Sequence, residues 1–139
     1  MEFGRAVLGI VGIIFVPFGV WALVDPVAVA GLTQVNLPTP TALADGRAVY
    51  GGLTLGLGSY FLPCAVRPEL VRAGLWAVLL TVGFPFLGRL AGIAADGAGS
   101  SETFRTLASE FTTAGLAAVA LVRSRPTRAP PVSLSASAE

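Results

Sequence analysis

Ala6–Val24 reads AVLGIVGIIFVPFGVWALV, nineteen residues without a charge. A helix rises ~1.5 Å per residue, so a run of this length spans a hydrocarbon core ~30 Å thick. Asp25-Pro26 ends it. Arg5 before the run and Ala28-Val29-Ala30 after it imitate a secretory signal with a small-residue cleavage site. Signal cores are usually ~7–15 residues. This one is longer and more apolar runs follow it, so it reads as a retained membrane anchor.

Outward from that run the chain divides into three further helices. Asp25 caps a short piece with Pro26 at its first position and Gly31 at its end, which is expected to lie on the membrane surface. Thr39-Pro40 repeats the cap-then-proline signal and starts a second long helix, to about Val66. Arg67-Pro68-Glu69 is a tight turn into a third, to about Ala95, and Asp96-Gly97-Ala98-Gly99-Ser100 is a loop. Ser101 is the expected cap of the fourth, Glu102 to about Val122. The expected architecture is all-α: a four-transmembrane-helix bundle over residues 1–122, with helices at about 6–24, 40–66, 68–95 and 102–122. Residues 123–139 are Arg, Pro, Ser and Ala with few large apolar groups, and are expected to form a disordered cytoplasmic tail.

Composition supports lipid as the solvent. Hydrophobic residues make up 54% and charged residues 12%, and a soluble domain usually carries about twice that charge. The formal net charge of +1 offers nucleic acid no general attraction. Cys64 is the only cysteine and there is no histidine. That excludes an internal disulfide, Cys/His zinc sites, c-type haem attachment and His-based triads. No cofactor is expected. All nine basic residues are arginine, a bias of GC-rich bacterial genomes, so the expected location is a bacterial cytoplasmic (inner) membrane.

The arginines also orient the bundle. Four crossings put both termini and the Arg67 turn on one side, which holds Arg5, Arg67, Arg72, Arg123, Arg125 and Arg128. The loops of the other side hold none. The positive-inside rule makes the arginine-rich side, with both termini, cytoplasmic.

The remaining charges fall in the outer half. Arg89 lies seven residues before Asp96, ~10 Å down its helix, and Glu110 eight after Glu102, ~12 Å down. The two are nearly level on adjacent antiparallel helices. An unpaired charge there costs at least ~2.5 kcal/mol, so pairing is expected. Arg47, Tyr50 and Thr54 recur on one face of the second helix, and Thr106, Ser109, Glu110 and Thr113 line the fourth. Together with Asp96 these residues describe an outward polar pocket. The alternative is an ion pair that only fixes packing, with Arg47, Arg105, Asp45 and Glu102 reaching headgroup water.

Gly52 and Gly56, and Gly88 and Gly92, stand four apart, the spacing that lets helix backbones approach closely. Internal packing is the expected meaning, homodimerisation the alternative. Pro17, Pro63 and Pro85 sit inside helices and should kink or loosen them. Cys64 is expected to be a small apolar filler.

The order of landmarks is Asp25-Pro26, then Arg47 with Tyr50-Gly51-Gly52 and Gly56, then Gly88-Arg89 and Asp96-Gly97, then Glu110. It resembles a bacterial family of small four-helix membrane proteins defined as a domain of unknown function, over about residues 6–122. The resemblance implies the fold and topology. It also implies Arg47, Tyr50, Arg89, Asp96 and Glu110 as signature positions, and no substrate. That family tends to have Glu two residues before the helix-two arginine, where this chain has the shorter Asp45.

Three functions remain open on the sequence. One is binding of a lipid or small amphipathic molecule in the outward pocket. Another is a structural or accessory subunit docking on a larger membrane complex, or on a copy of itself, through glycine faces. The third is an intramembrane enzyme using Arg89, Glu110, Tyr50 and Asp96 as acid–base groups. It lacks a metal cluster, a nucleophile–base pair and a phosphate loop, and ranks last.

Overall fold

Two prolines, each behind a capping side chain, set the first half of the chain. In the computed structural model, which describes residues 2–97 and 99–124, α1 runs Glu2–Val24 and Asp25 follows it. The Asp25 carboxylate accepts from the backbone N–H of Ala28 at 3.0 Å, opening the short α2, Pro26–Gly31. Thr39 does the same for α3, Pro40–Gly46, accepting from Ala42 at 3.1 Å.

α3 does not end at Gly46. The chain continues as a π-helical stretch, Arg47–Leu53, and then as α4, Thr54–Val66. Together they make one rod of 27 residues with a widened turn in it. A single 3₁₀ turn, Pro68–Leu70, leads into α5, Val71–Asp96. Gly97 closes α5 in the left-handed region at φ 66°, where a side chain would be strained. Ser100 caps α6, Ser101–Arg123, by accepting from Thr103 at 3.2 Å. The cap is thus one residue earlier than the expected Ser101. The tail expected at 123–139 lies, from residue 125 on, outside the described residues.

The described residues are helical, with no strand among them. Three helices are long and apolar enough to cross a membrane: Glu2–Val24, Pro40–Val66 and Pro68–Asp96. α6 is long enough at 23 residues but falls short in apolarity, because its first half reads SETFRTLASEFTT.

The helices pack as two antiparallel pairs, α1 with the α3–α4 rod and α5 with α6. Glycine lets the first pair approach closely. A Cβ on Gly19 would stand 2.6 Å from the backbone nitrogen of Leu55, and one on Gly58 2.9 Å from that of Val16. The shared core is built from Leu8, Phe61, Val71, Leu75, Val78 and Cys64, all nearly inaccessible. Cys64 is the expected small filler, wedged against Gly74 and Leu8.

That core occupies only the half of the bundle nearer the Arg67 turn. On α5 it stops at Val82 and on α6 it begins at Ala117. Toward the Gly97 loop neither helix of this pair has a buried residue among those described. The first pair stays closed further out, where Ala22 and Gly51 are buried, as are Pro26, Val29 and Ala30 of α2.

Arginines finish three helix ends. Arg5, in the first turns of α1, donates Nε–H to the carbonyl of Ala65 near the end of α4 at 2.8 Å. Arg47, early in the rod, donates Nε–H to the carbonyl of Leu23 near the end of α1 at 3.1 Å. The antiparallel partners cap one another. Arg72 of α5 likewise donates to the carbonyls of Leu121, at 3.4 Å, and Ser124 at the end of α6. The last carbonyls of a helix lack intrahelical partners and carry the negative end of its dipole, so a cation there is favourable by ~0.3–1 kcal/mol.

Candidate functional site

Arg89 and Glu110 meet. The Nε of Arg89 lies 3.0 Å and 3.1 Å from the two carboxylate oxygens of Glu110. The Glu110 side chain is 13% exposed and that of Arg89 33%. Both lie on the faces that carry the core lower down, since Arg89 is two turns beyond Val82 and Glu110 two turns before Ala117. The pair therefore holds α6 against α5 beyond the buried core, beside the Phe86–Phe111 ring contact at 5.8 Å between centroids.

The hydroxyls of α6 are satisfied within the helix. Thr106 donates to the carbonyl of Glu102 at 3.0 Å, and Thr112 and Thr113 donate at 2.8 Å to those of Ala108 and Ser109. Ser109 bonds back to Thr106 at 2.8 Å. The polar stretch that weakens the apolar signal of α6 thus leaves these hydroxyls without need of water.

Arg47 and Tyr50 belong to a different neighbourhood. The widened turn packs on α1, α2 and α3. Arg47 is committed to the Leu23 carbonyl. Tyr50 is half-buried and, with Asp45, lines an open recess of about 290 Å³ whose other walls are Val35, Leu37, Ala42, Gly46 and Val49. A second recess of about 540 Å³ lies between α2 and α6, against Leu32, Glu102, Arg105, Thr106 and Ser109. It is bordered by a strap in which the Gln34 amide donates to Glu102 at 3.1 Å. Neither recess is lined by Arg47, Arg89, Asp96 or Glu110.

The five residues expected in one outward pocket are therefore divided. Arg89 and Glu110 form an ion pair, Arg47 caps α1, Tyr50 enters a recess, and Asp96 stands exposed at the end of α5. The expected pocket omitted Val35 and Leu37, which come from the connection before α3 and carried no periodic signal. It also placed Asp45 at the headgroup level only, although Asp45 shares the recess with Tyr50. Among the described residues, the ion pairs are Arg5–Glu2 and Arg89–Glu110, so Asp45 has no basic partner there.

The glycines need a correction. A Cβ on Gly56, Gly88 or Gly92 would meet nothing within 4 Å, and one on Gly52 only its own turn, at the Arg47 carbonyl. These four do not pack the helices of one chain together. Gly12, Gly19, Gly51, Gly58 and Gly74 do, each with a neighbouring helix within 3.0 Å of the Cβ position. On the rod the face toward α1 is Gly51, Leu55, Gly58 and Leu62, at helical spacing, and Gly52 and Gly56 lie off it. On α5, Gly88 and Gly92 lie beyond Val82, where the buried core has ended.

Among the described residues no group of three or more metal-ligating side chains comes together. No curated protein and no solved structure matches the chain. A family model described as "Domain of unknown function (DUF4345)" matches residues 3–121. That match reaches into every helix described above and covers both halves of the divided site, and the chain belongs to the DUF4345 family.

Proposed function

We propose that this is a four-span protein of a bacterial inner membrane, both ends cytoplasmic, holding a lipid or small amphipathic molecule at its outer end. The observation that carries the binding is the recess beside the widened turn, whose lining is apolar apart from Asp45 and Tyr50. A ligand site is typically concave and mostly apolar, with few polar groups that fix orientation.

Three features support α6 as the fourth span. Its 23 residues rise ~34 Å. Its hydroxyls are bonded internally, which meets the demand that lipid makes on polar groups. It also accompanies α5 across the bundle, tied at one end by Arg72 to Ser124 and far up by Arg89 to Glu110. Arg5, Arg67, Arg72 and Arg123 gather at the Arg67 end, which favours that end as cytoplasmic.

The binding is tested by placing a photoactivatable benzoylphenylalanine at Val49, in the recess, and at Ile14, on α1, which are 56% and 58% exposed. After exchange into fresh detergent, Val49 should still capture a discrete amphiphile and Ile14 none. Equal capture at both positions argues against a site.

The second reading is an accessory subunit. It is favoured by Gly56, Gly88 and Gly92, whose faces are open in the single chain and would admit a helix of another protein. Capture of a protein in place of an amphiphile at Val49 would favour it.

A further inference from the structure

Asp45 and Tyr50 are five residues apart. On a regular α-helix of 3.6 residues per turn that separation points two side chains about 140° from each other. Here the turn widens from Arg47 onward, and both residues line the same recess. With Ala42, Gly46 and Val49 between them, the two residues flank one face of the rod and both border this recess. Single widened turns inside helices occur frequently at functional sites.

The chemistry of the pair is specific. Asp45 has no basic partner among the described residues, and Arg47, the nearest cation in sequence, is committed to the Leu23 carbonyl. The walls beside it are Val35, Leu37, Ala42 and Val49. A carboxylate facing an apolar wall calls for a cation that brings its own apolar part. An aromatic ring near a carboxylate is a recognised arrangement for ammonium groups, combining charge with attraction to the ring face. At about 290 Å³ the recess has room for a headgroup and the start of a chain.

We propose that this recess takes an ammonium group carried on an apolar tail, with Asp45 as its counter-ion and Tyr50 as its aromatic wall. The inference rests on the lipid-binding reading above and narrows it to one class of headgroup.

The test uses the full chain in nanodiscs that mix phosphatidylethanolamine, phosphatidylcholine and phosphatidylglycerol with identical tails, followed by native mass spectrometry. The two ammonium lipids should be retained over phosphatidylglycerol by about threefold, the scale of an exposed carboxylate–ammonium contact. Asp45→Asn should abolish that preference, and Asp45→Glu should keep it. Tyr50→Leu should weaken it. Asp45 is exposed, so its variants are expected to fold. Equal retention of the three lipids overturns the ammonium assignment and leaves lipid binding standing. Retention of no lipid overturns both. Displacement by free ethanolamine overturns the need for an apolar tail.

Discussion

The Nε of Arg89 sits 3.0 Å and 3.1 Å from the two carboxylate oxygens of Glu110, at a level of the bundle where no apolar residue of α5 or α6 is buried. Below them the core joins these helices, and above Val82 this pair is the charged contact between them.

Removing either partner should therefore loosen α6, unequally. Breaking a buried pair typically costs ~3–5 kcal/mol, and exposure of Arg89 lowers the expectation to ~2 kcal/mol. Glu110→Ala should cost more than Arg89→Ala, because a carboxyl group left alone can take up a proton and a guanidinium cannot. Denaturant unfolding in bicelles, run as a double-mutant cycle, checks this. Additive single losses would mean that the two groups do not interact.

Arg5 and Arg47 cap opposite ends of the α1–rod pair. Arg5→Ala and Arg47→Ala should each cost about 1 kcal/mol, the usual scale of a cation at a helix C-terminus. α1 has 23 residues, so the two caps lie more than ~10 Å apart and the double variant should show the sum. The same unfolding measurement reads it.

Glycine substitutions should divide by contact. Gly58→Ala puts a methyl group within 2.9 Å of the Val16 backbone and should cost about 1–3 kcal/mol. Gly88→Ala meets nothing and should be neutral or slightly stabilising. Gly88→Leu should leave folding intact and, if this face docks a partner, remove that partner from the purified protein. Loss of folding in Gly88→Leu would contradict the open face.

The proposed sidedness can be read at the turns. In a Cys64→Ala background, Glu69→Cys beside the Arg67 turn should react with a membrane-impermeant thiol reagent only after cells are opened. Ser100→Cys, before α6, should react in intact cells. Reaction of both from one side would mean that α5 does not cross.

Much of this was legible before the structure. Asp25-Pro26 and Thr39-Pro40 mark their helix starts because a capping oxygen followed by proline has few other uses. Rise per residue was enough to level Arg89 with Glu110, since α5 and α6 are regular between those residues and the loop. The glycine faces were not legible. Four-residue spacing marks a pair of small residues but not the helix it faces, and the face toward α1 is carried by Gly51 and Gly58, seven apart. The single outward pocket failed for a related reason: packing between the helices decides which neighbour each polar residue meets, and no local pattern encodes it.

The most direct test of the account is native mass spectrometry of the protein released from its own membrane under mild conditions, compared with Val49→Trp, which fills the recess. The account predicts a stoichiometric small-molecule adduct on the unmodified chain, absent from Val49→Trp although that variant inserts and folds. An unmodified chain that flies bare, or one that carries a protein partner equally well in both forms, would contradict it.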